Sequence, residues 1–109
     1  MTGKVYLLLM VDIEGKEFFK IGITSGSINK RIKSLQTGNP NKIQYLNHYE
    51  SKEYRLIERM FHAKYNMNKT LAENEWFNLS NDEVLNFIID CQKFEETIKF
   101  LKKENQFFK

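Results

Sequence analysis

The sequence is poor in the residues that cross-link or punctuate a chain: one cysteine, one proline, five glycines and two histidines in 109 residues. A lone Cys91 excludes an intramolecular disulfide framework and a cysteine-based zinc site. That usage fits a reducing, cytoplasmic setting. Pro40 is the single proline, and no low-complexity or Gly/Ser-rich stretch divides the chain. One domain is therefore expected, since domains commonly run about 100–150 residues. Long apolar runs are also lacking. The longest, Val5–Val11, has seven residues, against about 20 needed to span a bilayer. It follows Lys4 but has no small-residue cleavage site after it, so it reads as a buried strand rather than a signal peptide.

What is present is apolar and aromatic material for one core, 41% and 14% of residues, which excludes a disordered chain. The net charge is only +3 but is unevenly placed. Residues 15–70 carry eleven Lys/Arg against four acids, whereas residues 71–109 carry five against eight. A basic middle with a mildly acidic tail is expected to face a polyanion through the former. A lysine-rich solvated surface would show the same charge count.

Val5–Val11 and Phe18–Thr24 read as a hairpin about the Asp12–Lys16 turn, with Gly15 in it. Ser25-Gly26-Ser27 breaks the strand and offers an N-cap, and Ile28, Ile32 and Leu35 recur at i, i+4, i+7, which predicts a short amphipathic helix. The Thr37-Gly38-Asn39-Pro40 segment ends it. Ile43–Tyr49 reads as a third strand with Ile43, Tyr45 and Tyr49 on one face. Ser51 is expected to cap a second helix reaching about Tyr65, on which Glu58 and His62 stand one turn apart. Asn66–Asn74 is loop-like, and Glu75-Trp76-Phe77 is a short aromatic piece. Ser80-x-x-Glu83 is a capping box opening a final helix with Val84, Ile88, Cys91, Phe94, Ile98 and Leu101 on one side. The expected fold class is α+β: a small three-stranded antiparallel sheet flanked by helices, in a single domain with an added C-terminal helix.

Several of these pieces fall in a telling order. Gly3-Lys4-Val5-Tyr6 opens the first strand, and Lys20-Ile21-Gly22-Ile23-Thr24 closes the second. Arg31 follows, then Leu35-Gln36-Thr37-Gly38-Asn39-Pro40, Ile57-Glu58, His62 and Glu75-Trp76-Phe77. In this series the chain resembles the GIY-YIG nuclease superfamily, and within it the small branch found in phage proteins and in a meiotically up-regulated fungal gene product. The resemblance covers about residues 3–79, taken as a nuclease-like domain (1–79), with residues 80–109 a C-terminal helix packed on it.

The resemblance implies metal-dependent hydrolysis of DNA phosphodiesters, with Mg²⁺ or Mn²⁺ as one divalent ion; a stand-alone domain leaves few residues for sequence readout, so low sequence specificity is expected. Tyr6 matches the tyrosine that orients or deprotonates the attacking water. An ordinary tyrosine titrates near about 10, so that role needs a cation nearby. Lys20, which replaces the second tyrosine of the family's name motif, is expected to supply it. Gly22 permits close approach in the strand. Arg31 matches the phosphate-clamping arginine. Glu58 matches the metal-binding glutamate, and one carboxylate with phosphate oxygens and waters suffices for Mg²⁺. His62 is an auxiliary acid or base. A Glu58/His62 zinc pair lacks an evident third ligand. Asn74, Glu75 and Trp76 are supporting residues, with Trp76 and Phe77 anchoring the last segment to the core.

Lys30, Lys33, Lys42 and Asn39, with free amides of the Gly38-Asn39-Pro40 loop, are expected to touch the nucleic-acid backbone. Tyr45, Tyr49 and Tyr54 have faces suited to stack on unpaired bases and equally fit core or rim. His48 has no counterpart in the family pattern and reads as a solvent-facing strand residue. The acidic C-terminal helix is the expected site of dimerisation or of a protein partner, unless its apolar stripe is wholly core. A non-catalytic nucleic-acid-binding module, or an antagonist that grips another protein, would share this fold.

Overall fold

In the computed structural model, which describes residues 1–66 and 76–105, the hairpin forms for reasons that lie in its turn. The Asp12 carboxylate accepts from the amides of Glu14 and Lys16, both at 2.9 Å, and Gly15 takes a left-handed φ of 83°. This turn joins β1 (Gly3–Val11) to β2 (Glu17–Thr24). Helix α1 (Ile28–Gln36) starts on Ser27, whose hydroxyl accepts from the Lys30 amide. Strand β3 (Ile43–Ser51) and helix α2 (Tyr54–Lys64) follow. Then come β4 (Trp76–Phe77), α3 (Asn81–Leu85) and α4 (Phe87–Asn105).

The sheet has four antiparallel strands, not the expected three, in the order β3-β1-β2-β4. The aromatic piece Trp76–Phe77 is the fourth strand, pairing with Lys20 and Phe19. Two residues are too few for an alternating pattern to announce it. The central strand β1 is buried on both faces. Tyr6 and Leu8 join Ile43 and Trp76 beneath Ile28, Ile32 and Leu35 of α1. Val5 and Leu7 face Ile57 and Phe61 of α2 and Phe87, Cys91 and Ile98 of α4. The Phe61 ring stacks 5.3 Å from Phe87 and meets Phe94 edge-on at 4.8 Å, which locks α2 to α4. Burial pushes the Cys91 thiol up to about 12, so it is an inert core residue.

Three expectations are corrected. First, β3 carries a bulge: Leu7 pairs with Asn47 but Leu8 pairs with Tyr45, so Leu46 is an extra residue. Side-chain alternation therefore flips across it. Tyr45 lies opposite Leu8, whereas Tyr49 lies opposite Val5 on the other face. Second, Ser51 ends β3 and does not cap α2, whose N-cap is Glu53. The Ser51 hydroxyl accepts from the Glu53 amide and donates to Glu95 of α4. Third, the last helix is two helices. Ser80 and Glu83 do form the capping box, but the turn ends at Asn86. Phe87, Cys91 and Ile98 are buried, with Val84, Ile88 and Phe94 partly buried against the same cluster, while Leu101, near the end of α4, is 51% exposed.

The Glu95 carboxylate holds β3 to α4, accepting from Ser51 and, at 2.9 Å, from the Tyr49 hydroxyl. The Ser51 hydrogen bond holds Glu95 below the usual glutamate range, while burial and the carboxylate push Tyr49 up to about 12. A lowered carboxyl stabilises the fold fully above its unfolded value near about 4.3, and that share fades as pH falls through the folded value. Glu95→Gln should lower the urea midpoint at pH 7, and the gap to wild type should narrow as the pH falls below about 4.3. A gap of equal size at pH 7 and at acid pH would count against this ionic tie.

Candidate active site

The site is organised around a missing side chain. Tyr6 pairs with Gly22 across the β1–β2 ladder. A Cβ on Gly22 would stand 2.5 Å from the Tyr6 Cζ and 2.8 Å from its Cε1. The bare backbone thus gives the phenol ring a place to lie, and Tyr6 is only 1% exposed. Its oxygen accepts from the Arg31 Nε at 3.3 Å. Arg31 reaches it from α1, which Ile28, Ile32 and Leu35 seat on this same face. The bond uses one of five guanidinium N–H donors.

Lys20 shares this face, two residues from Gly22 on β2, and is 5% exposed. Its ammonium stands 5.9 Å from the centroid of the Trp76 ring, on the strand directly opposite. The guanidinium of Arg31 is a cation on the Tyr6 oxygen, on the same face of the sheet as Lys20.

The other flank comes from α2. Strand β4 pairs with Phe19 and Lys20, and the His62 Nε2 lies 2.9 Å from the carbonyl of Ile21, the next residue of β2. A carbonyl only accepts, so Nε2 carries the hydrogen, and Nδ1 is the nitrogen able to exchange a proton. Phe77 packs edge-on against the ring at 5.1 Å. Helix α2 runs opposite to β2: Tyr54 backs Gly3, next to the Lys4–Thr24 pair, while His62 meets Ile21. Glu58 is half-buried on α2, one turn before His62.

The structure thus joins Tyr6, Gly22 and Arg31 directly, sets Lys20 and Trp76 beside them, and brings His62 to the same strand from the other flank. Lys30 and Lys33 are exposed on α1 around Arg31, and Lys42 is exposed before β3. Asn39 is engaged within its loop: its amide donates to the Gln36 carbonyl, its Oδ1 accepts from the Asn41 amide, and its Nδ2 meets the Met10 sulfur. Gln36 adds bonds to the Asn39 and Asn41 carbonyls and to the Ile43 amide. The free-amide cradle expected of this loop is therefore not formed at Asn39 or Asn41. Asn74 and Glu75 lie outside the described residues. His48, read as solvent-facing, is half-buried opposite Tyr6. The β3 bulge that sets its surroundings leaves no mark on apolar alternation.

A buried phenol under a guanidinium, with a glutamate and a histidine one helical turn apart on the opposite flank, has the makings of a phage-type, nuclease-like domain. The family comparison agrees: residues 3–98 match the model of the T5orf172 domain, and the chain belongs to that family. The match runs through most of α4, beyond the span of the motifs. No curated protein and no solved structure gives a significant match. No helix among the described residues is long and apolar enough to cross a membrane.

Because the Tyr6 ring occupies the space over Gly22, Gly22→Ala should displace it. The expected cost is about 1–3 kcal/mol, as for other overpacked sites, read from urea unfolding. An unchanged midpoint would show that the ring does not depend on the gap.

Proposed function

We propose that this domain is a metal-dependent endonuclease that hydrolyses DNA phosphodiesters with low sequence specificity. The observation that carries the reading is the Arg31–Tyr6 hydrogen bond over Gly22. It sets a hydroxyl that can orient or deprotonate water beside a permanent cation that can hold a phosphate oxygen. Membership of a nuclease-like family supports it.

The donor chemistry fits a hard divalent ion. Among the described residues no three His, Cys, Asp or Glu side chains gather as a closed cage would require. Mg²⁺ or Mn²⁺ asks for less, because Mg²⁺ retains water and takes one or two carboxylates with substrate oxygens. Glu58 would hold it. Such an ion supplies Lewis-acid neutralisation at the phosphate.

The side chains then divide the work. Arg31 fixes the phosphate and stabilises the charge that grows on it in the transition state. Tyr6 aims the attacking water, and the guanidinium N–H on its oxygen favours any negative charge that forms there. Lys20 adds positive potential on the same face. His62 passes a proton through Nδ1, its ring held by the Ile21 carbonyl. Lys30, Lys33 and Lys42 draw the DNA backbone toward the site, so binding should weaken as salt rises.

Labelled single-stranded, duplex and branched DNA, incubated with Mg²⁺, Mn²⁺ or EDTA, tests the proposal. Cutting should need the metal and vanish in Glu58→Ala. Arg31→Ala should lose about 10²–10³-fold in rate, the loss typical of one transition-state donor. Cutting that survives EDTA or Glu58→Ala would overturn the scheme. Salt-sensitive binding without any cutting would favour a non-catalytic module on the same fold.

A further inference from the structure

The bulge in β3 builds a second feature beside the Tyr6–Arg31 pair. Residues three apart on a regular strand point to opposite faces. The extra Leu46 brings Tyr45 and His48 to the same face, where the Tyr45 hydroxyl and His48 Nδ1 are 2.7 Å apart. With Lys4 and with Ser27, Ile28 and Asn29 at the start of α1, they line a cleft of about 370 Å³. Its floor continues into the site, because His48 lies opposite Tyr6. Its far wall does too, because Arg31 stands one turn after the lining residue Ile28 on α1.

We propose that this cleft seats one unpaired nucleotide next to the phosphate held at Arg31, with its base stacked on Tyr45 and its backbone charge met by Lys4. The proposal rests on the nucleic-acid reading above and adds the form of the substrate: single-stranded or splayed DNA. Three observations favour it. The Tyr45 ring is 46% exposed yet held by His48, so stacking on it costs little ordering. The Lys4 ammonium is tethered to the Gly26 carbonyl at 3.1 Å, which spends one of its three donors. The volume suits one small group, near the lower end of the about 300–1,000 Å³ of ligand pockets. A base must leave its pair before its face can lie on a ring.

The test measures binding apart from cutting. A fluorescent oligothymidylate is titrated with the full chain in EDTA, and a duplex is titrated in parallel. Tyr45→Ala should weaken single-strand binding about tenfold, within the range of one lost base stack, and leave duplex binding unchanged. Tyr45→Phe keeps the ring but loses the hydroxyl that His48 holds, and should lose clearly less affinity than Tyr45→Ala, because the stacking face remains and only its pre-ordering is lost. Lys4→Gln should lower the salt slope by about one. Overturning results are unchanged single-strand affinity in Tyr45→Ala, equal losses in the Phe and Ala variants, or a wild type that binds no single strand. If Tyr45→Ala does not fold, an unchanged salt slope in Lys4→Gln overturns the proposal. The two readings separate cleanly. A wild type that never cuts but loses single-strand binding in Tyr45→Ala keeps the cleft and discards the nuclease. A wild type that cuts while Tyr45→Ala binds normally does the reverse.

Discussion

The closeness of Tyr6 to Gly22 governs much of this molecule. In an ordinary antiparallel pair both partners project side chains into the same space. Here one partner has none, and a phenol ring takes the room. That choice buries Tyr6 in the α1-side core and still brings its oxygen to Arg31. Helix α1 has no fully buried residue of its own and is held by partly buried Ile28, Ile32 and Leu35 on the cluster that contains Tyr6. The position of the guanidinium therefore depends on the packing of the ring it contacts. Core packing and the Tyr6–Arg31 geometry therefore cannot be varied independently.

The edge of β2 is the second constraint. Strand β4 pairs with it at Phe19 and Lys20, and the His62 side chain of α2 meets the Ile21 carbonyl next along. Strand and helix thus both anchor to consecutive residues of β2, while Tyr6, paired with Gly22, packs on the α1 side.

Much of this was legible in the sequence where the signal is local. The Ile28, Ile32, Leu35 spacing gives α1, and Ser80 with Glu83 gives the capping box. The ordered motifs singled out Tyr6, Gly22, Arg31, Glu58 and His62. What stayed hidden depends on pairing between distant segments. Strand β4 exists because Trp76 and Phe77 meet β2, not because two residues have a period. Tyr45 and Tyr49 look alike in a sequence window, and only the register against β1 puts them on opposite faces. Asn86 breaks the last helix without a glycine or proline to announce it. Arg31 reaches the Tyr6 oxygen because α1 folds back over β1, which no spacing rule encodes.

The bulge at Leu46 bears on a different hazard. Strand β3 is at the end of the strand order, so its outer side offers amides and carbonyls on which another chain could add a strand. A regular edge of nine residues would be a flat template for such growth. An inserted residue bends the strand, breaks the repeat of its outward groups and increases its twist. The irregularity that brings Tyr45 and His48 together therefore also makes this sheet a poor seed for aggregation. Straightening β3 by deleting Leu46 would remove the cleft and that protection together.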